Sequence, residues 1–285
     1  MILKIPTFLI SKRKHSLLLI VLIGLLGLGC KGDSKKDSSV ERTVPAKEEL
    51  SKADKLVKEA IHSAGGMGNW SAKKTMSYTK NIQSFDSSGT LLRTVAQIHK
   101  YQLKPSFKTY MSWELDGNKH EIVNNGKQAW KLVNGEIQED KVAVNSAWNS
   151  SFGSQYMVCM PFKLKAPGTL LKYEGIDTLS NNRIVHNLQV TYEKGAGSSG
   201  GMHTWNYYLN TDNYQFVANF LDHGKGYTYT DYDTFIEVDG IVVTKERKSY
   251  VSNENREPVY LRTVYSNSNI QFDIELPEEL FKVKN

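Results

Sequence analysis

Cysteine and proline are scarce in this chain, and it has no apolar run long enough to cross a membrane. Two cysteines, Cys30 and Cys159, serve 285 residues, which excludes a disulfide-stapled scaffold. Only seven prolines interrupt the chain, so long strands are allowed. The longest apolar stretch, Ser16 to Gly29, has about fourteen residues, whereas a spanning helix needs about 20. No Cys/His cluster with zinc spacing is present. No regular alternation of helix and strand patterns appears, which argues against a doubly wound parallel sheet. The formal charge of +6 is largely an N-terminal effect. Lys4, Lys12, Arg13 and Lys14 precede the apolar stretch, and without them Lys+Arg falls from 36 to 32 against 30 acids. No concentrated basic face remains for a nucleic acid, and none is expected as a partner.

What is present begins with the N-terminus. A basic segment, a short apolar segment and then small residues follow the order of a secretory signal. Cys30 comes directly after Leu28-Gly29, which resembles the bacterial lipobox. That resemblance implies cleavage before Cys30 and acylation of its thiol, with palmitate among the chains. Gly27 departs from the usual Leu of the motif. Lys31 stands where an Asp would resemble an inner-membrane retention signal, so the outer membrane is expected, with the domain facing the periplasm or exposed at the surface. Residues 31–45, "KGDSKKDSSVERTVP", show no apolar periodicity and read as a solvated tether. Extended, it would reach about 50 Å. The expected organisation is a signal peptide over 1–29, a lipidated cysteine and tether over 30–45, and one domain over 46–285. The place of Cys30 argues against a bond to Cys159.

The domain is expected to be mainly β. Fifteen Tyr and five Trp suit pleated, half-buried surfaces. Ala46 to Gly66 reads as an amphipathic helix, with Leu50, Ala53, Leu56, Val57, Ala60, Ile61 and Ala64 on one face and Gly65-Gly66 as its stop. From Lys73 the period becomes two. Turn signals at "DSSG", "DGNK", "NNG", "VNG" and "VDG" separate strands. Trp148, Phe152 and Tyr156, four apart, predict a helix laid across the sheet and ending before Pro161. The count is about eleven antiparallel strands in one sheet, a curved sheet or half-barrel with helices covering its concave side.

Chemical motifs are few. "GAGSSGG" (Gly195 to Gly201) matches both G-x-G-x-x-G and G-x-S-x-G. Both patterns need a following helix, but an aromatic strand pattern follows, so a hairpin loop is expected. His186 and His203 flank that loop, and a metal or catalytic pair there is the remote alternative of an envelope hydrolase. Asp231, Asp233, Glu237 and Asp239 read as a solvated strand face. Cys159 sits among apolar neighbours and reads as a buried small hydrophobe rather than a nucleophile. The remaining signal is apolar. Phe107, Trp113, Trp130, Trp205, Tyr207 and Tyr227 are candidates to line a cavity for a hydrophobic ligand. The competing reading is that they fill a core.

Two sets of residues carry a resemblance. "AGG" (Ala64 to Gly66) followed by "NWSAKKTMSYT" resembles the start of the periplasmic lipoprotein carrier and receptor superfamily, with the Lol carrier/receptor-like fold. "MPFKLKAPG" (Met160 to Gly168), "YEGIDTL" (Tyr173 to Leu179) and "DYDTFIEVDGIVVTKERKSY" (Asp231 to Tyr250) resemble an uncharacterised family of Bacteroidota lipoproteins, a domain of unknown function. The resemblance covers most of residues 46–280. It implies a half-barrel closed by helices over a hydrophobic cavity, with no known catalytic residues; no cofactor or metal is expected. The expected function is a non-enzymatic, lipid-anchored envelope protein that binds a lipid or another hydrophobic ligand, a lipoprotein's acyl chain included. The alternative is a non-catalytic interaction module with a filled core.

Overall fold

A computed structural model of the chain describes residues 50–197 and 201–283; Cys30 and the tether lie outside them. Two helices open the described part, α1 (Lys52–Ser63) and α2 (Met67–Ala72). Six strands follow: β1 (Thr75–Phe85), β2 (Leu91–Gln102), β3 (Lys108–Leu115), β4 (Asn118–Asn124), β5 (Ala129–Val133) and β6 (Glu136–Ile137). Helix α3 (Lys141–Val158) and a 3-10 turn at Phe162–Lys165 lead to seven more. These are β7 (Thr169–Thr178), β8 (Ile184–Tyr192), β9 (Thr204–Asn210), β10 (Phe216–Asp222), β11 (Tyr227–Val238), β12 (Ile241–Ser252) and β13 (Pro258–Phe272).

All thirteen strands form one curved, unclosed antiparallel sheet in the order β6-β5-β4-β3-β2-β1-β13-β12-β11-β10-β9-β8-β7. The chain meanders outward from β1 to the β6 edge. It then crosses through α3 to the opposite edge at β7 and meanders back until β13 pairs with β1. The count exceeds the expected eleven by two. One of the extra strands is a short pairing that periodicity cannot resolve: β6 is only two residues long, paired through Leu132 to Ile137.

Helix α1 is shorter than expected at its start. Ser51 caps it, its hydroxyl accepting from the Asp54 amide at 3.0 Å, and a cap with extended backbone fixes where a helix begins. Leu50 therefore lies outside the helix and is exposed. The rest of the apolar stripe behaves as read: Ala53, Leu56, Val57, Ala60 and Ile61 are buried. They pack on Met76, Tyr207, Leu209, Phe216, Ile241 and Val243 in the main core. The α1 terminus is fastened to the β11–β12 turn. The Val242 amide donates to the Ala64 carbonyl at 3.0 Å, and the Asn69 side-chain amide donates to the Asp239 and Gly240 carbonyls at 3.2 and 3.0 Å. A second, smaller core of Leu179, Val185, Tyr208, Ala218, Phe220 and Tyr229 covers part of the other face of the sheet. Among the described residues, no helix is long and apolar enough to cross a membrane.

Candidate functional site

The register of the sheet aligns side chains in rows beneath α3. One row runs Lys131, Ile122, Met111, His99 and Tyr78 across β5 to β1. The next runs Trp113, Gln97, Lys80 and Asn267 from β3 to β13. A third runs Ile82, Tyr265, Arg247 and Tyr232 from β1 to β11. Cross-strand partners share a face, so all three rows look toward the helix. Above them α3 presents Ser146, Ser150 and Ser154, spaced by four as one stripe of a helix. Between helix and sheet lies a cavity of about 350 Å³ lined by Lys80, Ile82, Met111, Trp113, Ile122 and the three serines, with Arg93, Lys131 and Tyr265 among the other walls.

This cavity is more polar than the sequence suggested, and it is cationic. Lys80 is 8% exposed and Arg247 5%. Their charged groups share one aromatic ring. The Lys80 Nζ lies 5.0 Å from the centroid of Tyr265 and the Arg247 guanidinium lies 4.2 Å from it. Such contacts stabilise a cation modestly, but neither cation has a carboxylate partner among the described residues. Arg247 Nη1 is buried without any hydrogen-bond partner there. Burial, and then the neighbouring Arg247 charge, push the Lys80 ammonium down to about 7. His99, fully buried beside them, is held well below its ordinary value, first by burial and then by Lys80 and Arg247. Its Nε2 meets Gln97 Oε1 at 3.1 Å and its Nδ1 meets the Tyr101 hydroxyl at 2.8 Å. The neutral ring with the proton on Nε2 satisfies both contacts.

The sequence-derived aromatics are not gathered in this cavity. Trp113 lines it, stacked on His120 at 5.3 Å. Phe107 stacks on Phe152 of α3 at 4.9 Å, beside the main core. Trp205 and Tyr207 stack at 5.7 Å, and Tyr207 is fully buried in that core. Trp130 lines a separate groove at the sheet edge with Ile137, Val144 and Trp148. Tyr227 packs on Phe220 against the second core, on the other face. Under α1, in contrast, the core is filled. The void bordered by Ala60, Met160, Pro161 and Phe216 measures about 20 Å³, room for a single water.

The remaining motifs resolve as structure. Of "GAGSSGG", residues 198–200 lie outside the described residues; Gly195–Gly197 and Gly201 lie between β8 and β9, and a strand begins at Thr204. His186 pairs with Leu209 on β9, six residues from His203, which puts the two about 20 Å apart along the strand. His186 instead meets the Tyr173 hydroxyl at 3.1 Å. Among the described residues no group of His, Cys, Asp and Glu could hold a metal. Asp231 accepts from Arg183 at 2.6 Å and Asp233 from Lys248 at 2.8 Å, so these carboxylates form ion pairs on the sheet. Cys159 is buried, its thiol 3.6 Å from the Met76 sulfur and pushed up to about 12 by burial, which makes it a packing residue.

Lys80 falls at an inward position between Tyr78 and Ile82, where a charge interrupts an apolar alternation. The α3 serines announced themselves only by their spacing.

No protein-family model matches the chain, and no curated protein is detectably similar. Solved structures are similar in fold. A DUF1329 family protein from Desulfovibrio piger superposes with a TM-score of 0.51 at 13% identity, covering 82% of this chain and 98% of that one. A LolA superfamily protein from Nitrosomonas europaea gives a TM-score of 0.51 at 9% identity over the same shares. The described domain thus has a LolA-like fold: one large open sheet curved around its covering helices.

Proposed function

We propose that this chain is a non-enzymatic, lipid-anchored protein of the outer membrane, facing the periplasm, that holds a hydrophobic ligand between α3 and the sheet. The observation that carries this reading is the 350 Å³ cavity under α3 in a sheet of LolA-like shape. Ile82, Met111, Trp113 and Ile122 give the cavity an apolar wall. Each methylene buried there contributes about 0.8 kcal/mol. Helix α3 suits a cover that moves, because its buried side chains are small or polar: Ala143, Ala147, Ser151, Gln155 and Val158. Anchoring through Cys30 and the 31–45 tether would let the domain reach away from the membrane surface.

The test is lipid extraction and native mass spectrometry of the full chain purified from membranes in a neutral detergent. A copurifying lipid or acyl chain is expected, displaced by added fatty acid. If the protein carries no lipid and binds none, the carrier reading fails and the interaction-module reading takes its place. The filled core under α1 is the observation that favours that second reading.

A further inference from the structure

We propose that Lys80, with the charge of nearby Arg247 in support, forms a binding site for an anionic headgroup, a carboxylate or a phosphate, on an amphiphile whose chain lies in the cavity under α3. The inference rests on the cavity reading above and adds the chemical class of the ligand.

Three observations carry it. First, two buried cations both lie against the ring of Tyr265, with no carboxylate partner among the described residues. A buried charge without a partner is strongly unfavourable, and a fold that keeps two of them gains when an anion arrives. Second, Arg247 Nη1 has no acceptor within the described residues, and Lys80 forms no hydrogen bond there. Donors are therefore free, and the lysine opens onto the cavity. Third, the cavity is two-sided. Lys80 and the Ser150 and Ser154 hydroxyls supply donors, while Met111, Trp113 and Ile122 supply an apolar wall. That division matches a molecule with a charged end and a hydrocarbon end. Arg93 and Lys131 at the walls add positive potential that draws an anion in.

The polar pocket on the other face, lined by Asp177, Tyr208 and Arg256, lacks this character. There Arg256 already meets Asp177 at 3.4 Å and the Tyr208 hydroxyl at 3.2 Å.

The test is calorimetric titration of the full chain in neutral maltoside micelles with decanoate, decyl phosphate and decanol. The three share a chain and differ only at the head. Wild-type protein is expected to bind at least one of the two anions tenfold or more tighter than decanol. Which anion it prefers tells carboxylate from phosphate. Lys80→Met is expected to abolish that preference, and Lys80→Arg to retain it. Equal binding of all three by the wild type overturns the headgroup site and leaves the carrier reading standing. Binding of none overturns both. A preference that survives in Lys80→Met overturns the role of Lys80. The wild-type ratio decides the matter even if the variant does not fold.

Discussion

A lysine in a strand interior is held folded at a cost when nothing neutralises it. Lys80 shows the cost as an ammonium lowered to about 7 by burial and by Arg247. Arg247, His99 and Tyr265 surround it from the neighbouring strands, with Arg93 and Lys131 farther along the cavity wall; α3 contributes only serines there. Unfolded, the same lysine keeps its proton up to its ordinary value of 10.5. Between those values the unfolded chain binds more protons than the folded one, so stability rises with pH. Urea denaturation at pH 7, 8 and 9 should show that rise. Lys80→Met should flatten it and raise stability at pH 7 by roughly 3 kcal/mol. A variant less stable than the wild type, with its pH slope intact, would sink this account. The identity of the lysine was legible from the start, but its burial was not. Whether a charge in an alternating strand faces solvent or a helix depends on what covers that face, and local pattern does not encode it. The aromatics show the same limit. Trp113 reached the cavity, while Tyr227 faces the other way: it lies five residues before the inward Tyr232 in unbroken register, and alternation puts the two on opposite faces.

Elements were more legible than positions. The strands at Thr75–Phe85 and Leu91–Gln102 and the covering helix α3 follow directly from period and turn signals. Capping trimmed α1 to Lys52, and the two-residue β6 showed only as the "VNG" turn signal before it. The "AGG" stop proved to be a joint as well as a cap. Gly65 has φ of +104°, and a Cβ there would stand 1.9 Å from the Gly240 carbonyl oxygen. Both the backbone region and the close approach require glycine. Gly65→Ala should therefore lift α1 from the β11–β12 turn and cost about 3 kcal/mol or more, read as a lowered urea midpoint. An unchanged midpoint would show that the joint is soft. The α3 cover yields a complementary prediction. Ser150 faces the cavity, so Ser150→Leu should fill it. The melting midpoint should hold or rise, because apolar area is buried, while decanol affinity should fall at least tenfold. Retained affinity would move the ligand elsewhere.

At the scale of the molecule, two meanders are joined by the β1–β13 ladder and by α3. The pairing of Ile82 with Tyr265 spans more than half the chain, and no local signal announces such a contact. Composition and alternation were enough to show one open antiparallel sheet but not its closure order. The proposed anchor rests on sequence alone, because Cys30 lies outside the described residues. If Cys30 is acylated, the 31–45 tether fixes how far the α3 cavity can travel from the membrane, about 50 Å at full stretch. One acyl chain binds a membrane marginally, whereas several hold it firmly. The full chain should therefore incorporate labelled palmitate and fractionate with the outer membrane. Cys30→Ser should lose the label and, with processing blocked, remain with the inner membrane through its uncleaved apolar segment. Persistence of label in Cys30→Ser, or an unlabelled wild type in the soluble fraction, would refute the anchor. It would then leave the domain to find its ligand without a fixed distance from any bilayer.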